Sequence, residues 1–326
     1  MRGLLKPLLL PWLRRDPGEI ARRARRFAIR TDAGRALVDS LGRAFLGGYN
    51  AMLERDRLAD VAREGARVPP HFRPFFFEGA AMGYFPRCLF DPTLRAERIE
   101  RDLLELDPAF LYLYYVGIGF WYGFRHPRRP AALLQMAPHV SPLYLPLCFD
   151  GYGFKLAFFD FPRRSHTTER LPAEHRSALY QGFGRALFFV TMDDAQALER
   201  IVLALPEAHR GDLALGYALA LGFTGVDRPE QLVRHVVRAG DPEQRAARLT
   251  GITWALSARR MNDRGYFEEC MGRAPDDWRE LLEPLPSLCQ QAQQQAGSYA
   301  DWQARTRAAV VDHWAARDSA LARARG

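Results

Sequence analysis

The apolar residues of this chain gather in helix-length stretches, and most of these are interrupted by glycine. Seven stretches share the pattern: AFLGGYNAML (44–53), FFEGAAMGYF (76–85), YYVGIGFWYG (114–123), CFDGYGFKLA (148–157), LYQGFGRALF (179–188), LALGYALALG (213–222) and RLTGITWALS (248–257). The anchoring glycines are Gly48, Gly79, Gly117, Gly151, Gly182, Gly216 and Gly251. An apolar residue usually stands two places earlier and a small residue two or four places later. An aromatic follows by three in Phe120, Phe154 and Trp254. Each glycine costs a helix roughly 1 kcal/mol relative to alanine, so packing must compensate. A recurrence of roughly 34 residues is the length of a helical-hairpin repeat. The pattern therefore predicts an all-α fold, a right-handed solenoid-like array of helical hairpins. In it each helix A packs on its own helix B and on the next A. The glycines then mark places where A-helix backbones approach closely.

The later units read most cleanly. SALYQGFGRALFFV predicts one helix A, and DDAQALERIVLALP its B, with Asp193 and Asp194 as N-cap and first-turn residues and Pro206 beyond the end. HRGDLALGYALALGFTG and RPEQLVRHVVRAG form the next pair, with Pro229 in the first turn of B and Gly240 past its end. PEQRAARLTGITWALSARRMN and DRGYFEECMGRA follow as A and B. The early units are rich in Phe and Tyr and fit less well, with loops expected around HPRRP (126–130) and FPRRSHTTERLP (161–172).

The residue before each anchoring glycine is Gly47, Glu78, Val116, Asp150, Gln181, Leu215 or Thr250. Carboxylates in the company of FFFEGAAMGYF and LCFDGYGFKLAFFDF cost several kcal/mol unless paired, protonated or wet. In a repeat array equivalent positions stack, so Glu78, Asp150, Gln181 and Thr250 are expected on one face. Arg185 lies one turn from Gln181, and Tyr115, Trp121 and Tyr152 supply aromatic walls. Two readings are open. One is a polar-bottomed, aromatic-walled groove for an elongated apolar ligand or a partner segment. The other is a core in which each carboxylate satisfies a neighbouring Arg, Tyr hydroxyl or helix end.

Composition narrows the class. The chain is 48% hydrophobic and 26% charged, with QQAQQQ (290–295) its one biased tract, as in a folded globular protein. The formal net charge of +8 is carried almost wholly by arginine, since Lys6 and Lys155 are the two lysines. Neither a zinc-ligand set nor an RNA-binding motif accompanies it, so nucleic-acid binding is not expected. The densest basic run, RRARRFAIR (22–30), suits phosphate or anionic lipid. Residues 1–31 are read as a basic extension and 32–326 as one repeat domain. MRGLLKPLLLPWLRR imitates a signal peptide, but Pro7 and Pro11 break the apolar run and arginines follow it. This leaves weak membrane-surface contact through the N-terminus as the alternative. FLYLYYVGIGFWYGF (110–124) is short for a bilayer span. Cys88, Cys148, Cys270 and Cys289 form no CxxC pair, which suits a reducing cytoplasm.

Catalytic motifs are lacking. There is no GxSxG, no Walker loop and no dinucleotide fingerprint. DDAQALE and NDRGYFEE carry carboxylates without the spacing of terpene-synthase metal segments, and acids at helix starts are simply good caps. His71, His126, His139, His166, His175, His209, His235 and His313 make no HxxxH pair. Neither a metal nor another cofactor is expected.

LGRAFLGGYNAML, FFFEGAAMGYFPRCLF, YYVGIGFWYGF, FDGYGFKLAFFDF, QGFGRALFFV and GDLALGYALALGFTG, in that order and spacing from about residue 16 to 280, resemble the DUF1702 family. That family is similar to the E3-type proteins encoded beside enediyne polyketide synthases in bacteria, and it has members elsewhere. The resemblance implies a pathway rather than a reaction and carries over no catalytic residue. It implies an accessory protein that binds a hydrophobic polyene intermediate or a pathway protein. The alternative is an enzyme using Glu78 and Asp150 as acid and base. The array is tetratricopeptide-like in period only, because the alanine expected twelve residues past the glycine is replaced by Arg129, Asp194 and Arg228.

Overall fold

A computed structural model describes residues 5–160, 171–192 and 194–325, with side chains through Arg317. Residues 161–170 of the expected second loop, with His166, and the capping residue Asp193 lie outside the described residues. Among the described residues there is no strand, and the all-α expectation holds. The α-carbon contacts gather the chain into two compact units, Met1–Ile201 and Val202–Gly326.

The first unit contains α1 (Leu5–Leu13), α2 (Glu19–Ala24), α3 (Asp32–Glu54), α4 (Leu58–Ala66), α5 (Arg73–Cys88), α6 (Ile99–Leu104), α7 (Leu111–Arg125), α8 (Leu145–Lys155) and α9 (Ala173–Thr191). Then α10 (Ala195–Leu203) leads into the second unit, opened by Asp194, whose carboxylate accepts the Ala197 N–H at 2.9 Å. The glycine-bearing helices α3, α5, α7, α8 and α9 pack each on the next. Their glycines stand where the sequence reading needs them. A methyl built on Gly48 would meet the Phe76 carbonyl oxygen at 1.7 Å. One on Gly79 would meet that of Phe45 at 1.8 Å, one on Gly151 that of Val116 at 2.0 Å, and one on Gly182 that of Asp150 at 1.7 Å. These are backbone-to-backbone contacts that admit no side chain.

Neighbouring helices of this layer run parallel. Gly79 meets Phe45, and two turns further on Arg87 donates to the Met52 carbonyl at 3.2 Å and to the Asp56 carbonyl at 2.7 Å. Arg87 thus supplies donors to the orphan Met52 carbonyl at the end of the preceding helix and to the Asp56 carbonyl just beyond it. Tyr152 does the same for α7, donating to the His126 carbonyl at 2.5 Å. Parallel neighbours require a return connection, which is the role of helix B. Between α3 and α5 it is α4. Between α7 and α8 it is a 3-10 stretch, Pro130–His139. Pro130 opens that stretch, as proline can open any helix, and Pro138 lacks the N–H an α-helix would use inside it. The loop expected around 126–130 passes into a tighter helix rather than a B helix.

The layer curls. On a flat layer with steps of about 8 Å, α5 and α9 lie roughly 24 Å apart, further than a glutamate and an arginine reach together. Yet Glu78 and Arg185 touch at 3.4 Å. Likewise Phe45 of α3 meets Phe120 of α7, with centroids 5.1 Å apart, past the intervening α5. The segment around α2 closes the curl onto α9: the Ala28 N–H donates to the Val190 carbonyl at 2.8 Å, and Arg30 pairs with Asp194 at 2.8 Å.

The second unit holds α11 (Arg210–Thr224), α12 (Pro229–Val237), α13 (Pro242–Asn262), α14 (Arg264–Gly272), α15 (Asp276–Leu282), α16 (Leu285–Gln294) and α17 (Tyr299–Arg325). The A and B helices expected from residue 209 to 274 appear with nearly the expected bounds, because their ends are written in local chemistry. Asp241 caps α13 and Asp263 caps α14, while Pro229 opens α12. Here too α11 and α13 run parallel in close contact: a methyl on Gly251 would stand 2.1 Å from the Leu215 carbonyl oxygen, and Arg259 donates to the Phe223 carbonyl at 2.6 Å.

Candidate functional site

Three of the residues singled out in sequence meet inside the first unit. Arg185 of α9 donates from one terminal nitrogen to Asp150 Oδ1 at 2.8 Å and from the other to Glu78 Oε1 at 3.4 Å. Their placement follows from the glycines. Glu78 and Asp150 each precede a glycine at a helix contact, and the curl turns that position inward. Val116 takes the matching place on α7, so the carboxylates converge past an apolar residue. All three charged groups are buried, with Arg185 retaining 9% exposure. Its guanidinium also lies over the Phe154 ring, 5.2 Å from the centroid.

One guanidinium serves two carboxylates, and the balance shows in their acidity. Burial pushes Glu78 up to about 7 against the pull of Arg185, and the Asp150 charge adds to the rise. Burial also pushes Asp150 up to about 6, again opposed by Arg185. The pair therefore exchanges a proton close to neutrality, and the cluster carries no net charge when it holds one proton.

A run of phenylalanines continues from this cluster. Phe45 packs on Phe120, Phe120 on Phe154 at 5.1 Å, Phe154 on Phe158 at 5.4 Å, and Phe158 on Phe27 at 4.8 Å. The run draws on α3, α7, α8, the segment after α2 and a π-helical turn, Leu156–Asp160. Close by that turn, Lys155 is buried, pairs with Asp160 at 2.7 Å and sits 5.0 Å from the Phe124 ring centroid. Lys155 was missed in sequence. Its signal was available, as one of two lysines in the chain, five residues after Asp150 and five before Asp160.

The other candidates are engaged elsewhere. Gln181 is buried and donates to Ser177 Oγ at 3.0 Å within α9. Tyr115 donates to the Glu100 carboxylate and accepts the Ser141 N–H at 3.1 Å. It borders a narrow crevice shared with Glu100, Tyr114 and Val140 that has no room for even a water molecule. Tyr152 gives its hydroxyl to the His126 carbonyl, and Trp121, partly exposed, stacks on Phe85. Thr250 belongs to the second unit, where its hydroxyl donates to the Ala246 carbonyl of its own helix at 2.8 Å. Among the described residues no group of three or more His, Cys, Asp or Glu is placed to hold a metal ion, and the four cysteines are free thiols. No single helix among them is long and apolar enough to cross a membrane.

Neither a curated protein nor a solved structure matches the chain. A family model does: that of the proteins of unknown function DUF1702 matches residues 7–272. The chain is a member of the DUF1702 family.

Proposed function

We propose that this is a cytoplasmic accessory protein of bacterial specialised metabolism, of the enediyne-type polyketide kind, that holds a hydrophobic polyene or a pathway protein without transforming it. The supporting observation is the phenylalanine run from Phe45 to Phe27 beside the Glu78–Asp150–Arg185 cluster. Phe120, Phe154 and Phe158 are buried within the run. A flat, unsaturated chain would therefore gain dispersion contacts at its partly exposed ends, Phe45 and Phe27, and would reach the buried cluster only by parting the inner rings. The family match covers this whole unit from residue 7. The test is binding. Purified protein titrated with a long polyene should red-shift the polyene's absorbance, and Phe45→Ser should weaken the effect because Phe45 is partly exposed and its loss spares the core. A polyene spectrum unchanged by the protein, together with failure to co-purify any protein encoded beside it, would overturn the reading.

An enzyme is the second reading, and the specific support is the pair of buried carboxylates with pKa values near 7 and 6, suited to proton transfer at neutral pH. Glu78→Gln and Asp150→Asn should then abolish product formation from pathway intermediates while leaving Tm nearly unchanged. A large drop in Tm instead identifies the two groups as parts of the core.

A further inference from the structure

The charge of the chain is not evenly spread. Residues 1–30 hold nine basic and two acidic side chains, +7 of the formal +8, although Lys6, Arg14 and Arg30 pair with Asp56, Glu54 and Asp194 from elsewhere in the chain. The same segment carries α1, a helix with no buried residue and with Lys6 as its one polar side chain. Its inner side is fixed. Lys6 donates to the Glu54 carbonyl at 2.7 Å and pairs with Asp56, and the Leu13 carbonyl accepts the Tyr49 hydroxyl at 3.0 Å. The opposite side holds Leu5, Leu8 and Trp12, which successive helical turns bring into line. They are 42%, 65% and 88% exposed. The outward face of a surface helix is normally polar. Other exposed large apolar residues, such as Leu89, Leu134, Leu203 and Val237, fall singly on separate elements, which is ordinary.

We infer that α1 and the arginines after it form a docking surface for an anionic phospholipid bilayer, with Leu5, Leu8 and Trp12 entering the headgroup layer. The two observations together select the occupant. Nucleic acid would use the arginines but leaves no reason for an apolar Leu–Leu–Trp face. A protein partner would cover that face without needing the charge. A membrane surface uses both: tryptophan favours the interface, and basic residues favour anionic headgroups. Exposed Arg25 and Arg26 follow α2 and would add to the attraction. Nine residues are far too few to span, so attachment is peripheral and reversible. This inference stands apart from the ligand reading of the inner phenylalanines.

Flotation of the full chain with vesicles tests it. The protein should float with phosphatidylcholine vesicles containing phosphatidylglycerol and stay behind with phosphatidylcholine alone. Binding should weaken severalfold between about 0.1 and 0.5 M salt as screening sets in. The double variant Leu8→Ser, Trp12→Ser should bind about tenfold or more weakly with an unchanged Tm, since both side chains stand in solvent. Arg25→Gln with Arg26→Gln should lose the preference for anionic vesicles. Failure of the native chain to float, flotation of the double variant equal to it, or tighter binding to duplex DNA than to vesicles would each overturn the inference.

Discussion

Replacing Gly182 by alanine tests the packing on which the inner cluster depends. The added methyl would stand 1.7 Å from the Asp150 carbonyl oxygen, where contacts need at least 3.0 Å. The obstacle is backbone, so α8 and α9 must part by about 1.3 Å. The Arg185–Asp150 bond, now 2.8 Å, would then open past hydrogen-bond range. Alanine regains roughly 1 kcal/mol of helix propensity, but overpacking costs about 1–3 kcal/mol and weakening a buried ion pair adds to it. The net loss should be about 2–4 kcal/mol. For a unit of this size that lowers Tm by at least about 5 °C. Gly211→Ala is the matched control: it lies in α11, with nothing within 4 Å of the added methyl, and should be neutral or stabilising by up to about 1 kcal/mol. Scanning calorimetry on both variants decides the matter. If Gly182→Ala melts at or above the native temperature, the glycines are not there for close approach and the argument fails.

Other outcomes follow from the charged groups. Because the folded pKa values of Glu78 and Asp150 lie above their ordinary 4.5 and 3.8, the folded chain holds protons that the unfolded chain has released. Their contribution is therefore fully present below about pH 4 and fades as pH rises through about 6 to 7. It amounts to on the order of 3 kcal/mol per group. Urea midpoints should fall from pH 5 to pH 8, and less steeply in Glu78→Gln. Arg185→Met leaves both carboxylates without their cation and should cost about 3–5 kcal/mol at pH 8, and much less at pH 5, where both can stay protonated. Equal losses at the two pH values would contradict the pairing. Arg87→Met removes the donors to the Met52 and Asp56 carbonyls and the ion pair with Asp91. It should cost about 2–3 kcal/mol and raise hydrogen exchange first at the end of α3.

What could be read from the sequence was whatever short-range chemistry governs. Capping residues and prolines set the ends of α12, α13 and α14, and glycines recurring at matching places announced stacked helices, because only glycine lets two helix backbones touch. Glu78, Asp150 and Arg185 stood out as charges in apolar company. Their meeting was decided by the tertiary structure. It depends on how far the layer curls between α5 and α9, a sum of small rotations at each helix contact that no single residue records. The same holds for Lys155 and the phenylalanine run, whose members lie far apart along the chain. For α1 the sequence offered an apolar, basic segment suited to a membrane surface, and the fold decided which of its side chains, Leu5, Leu8 and Trp12, face water.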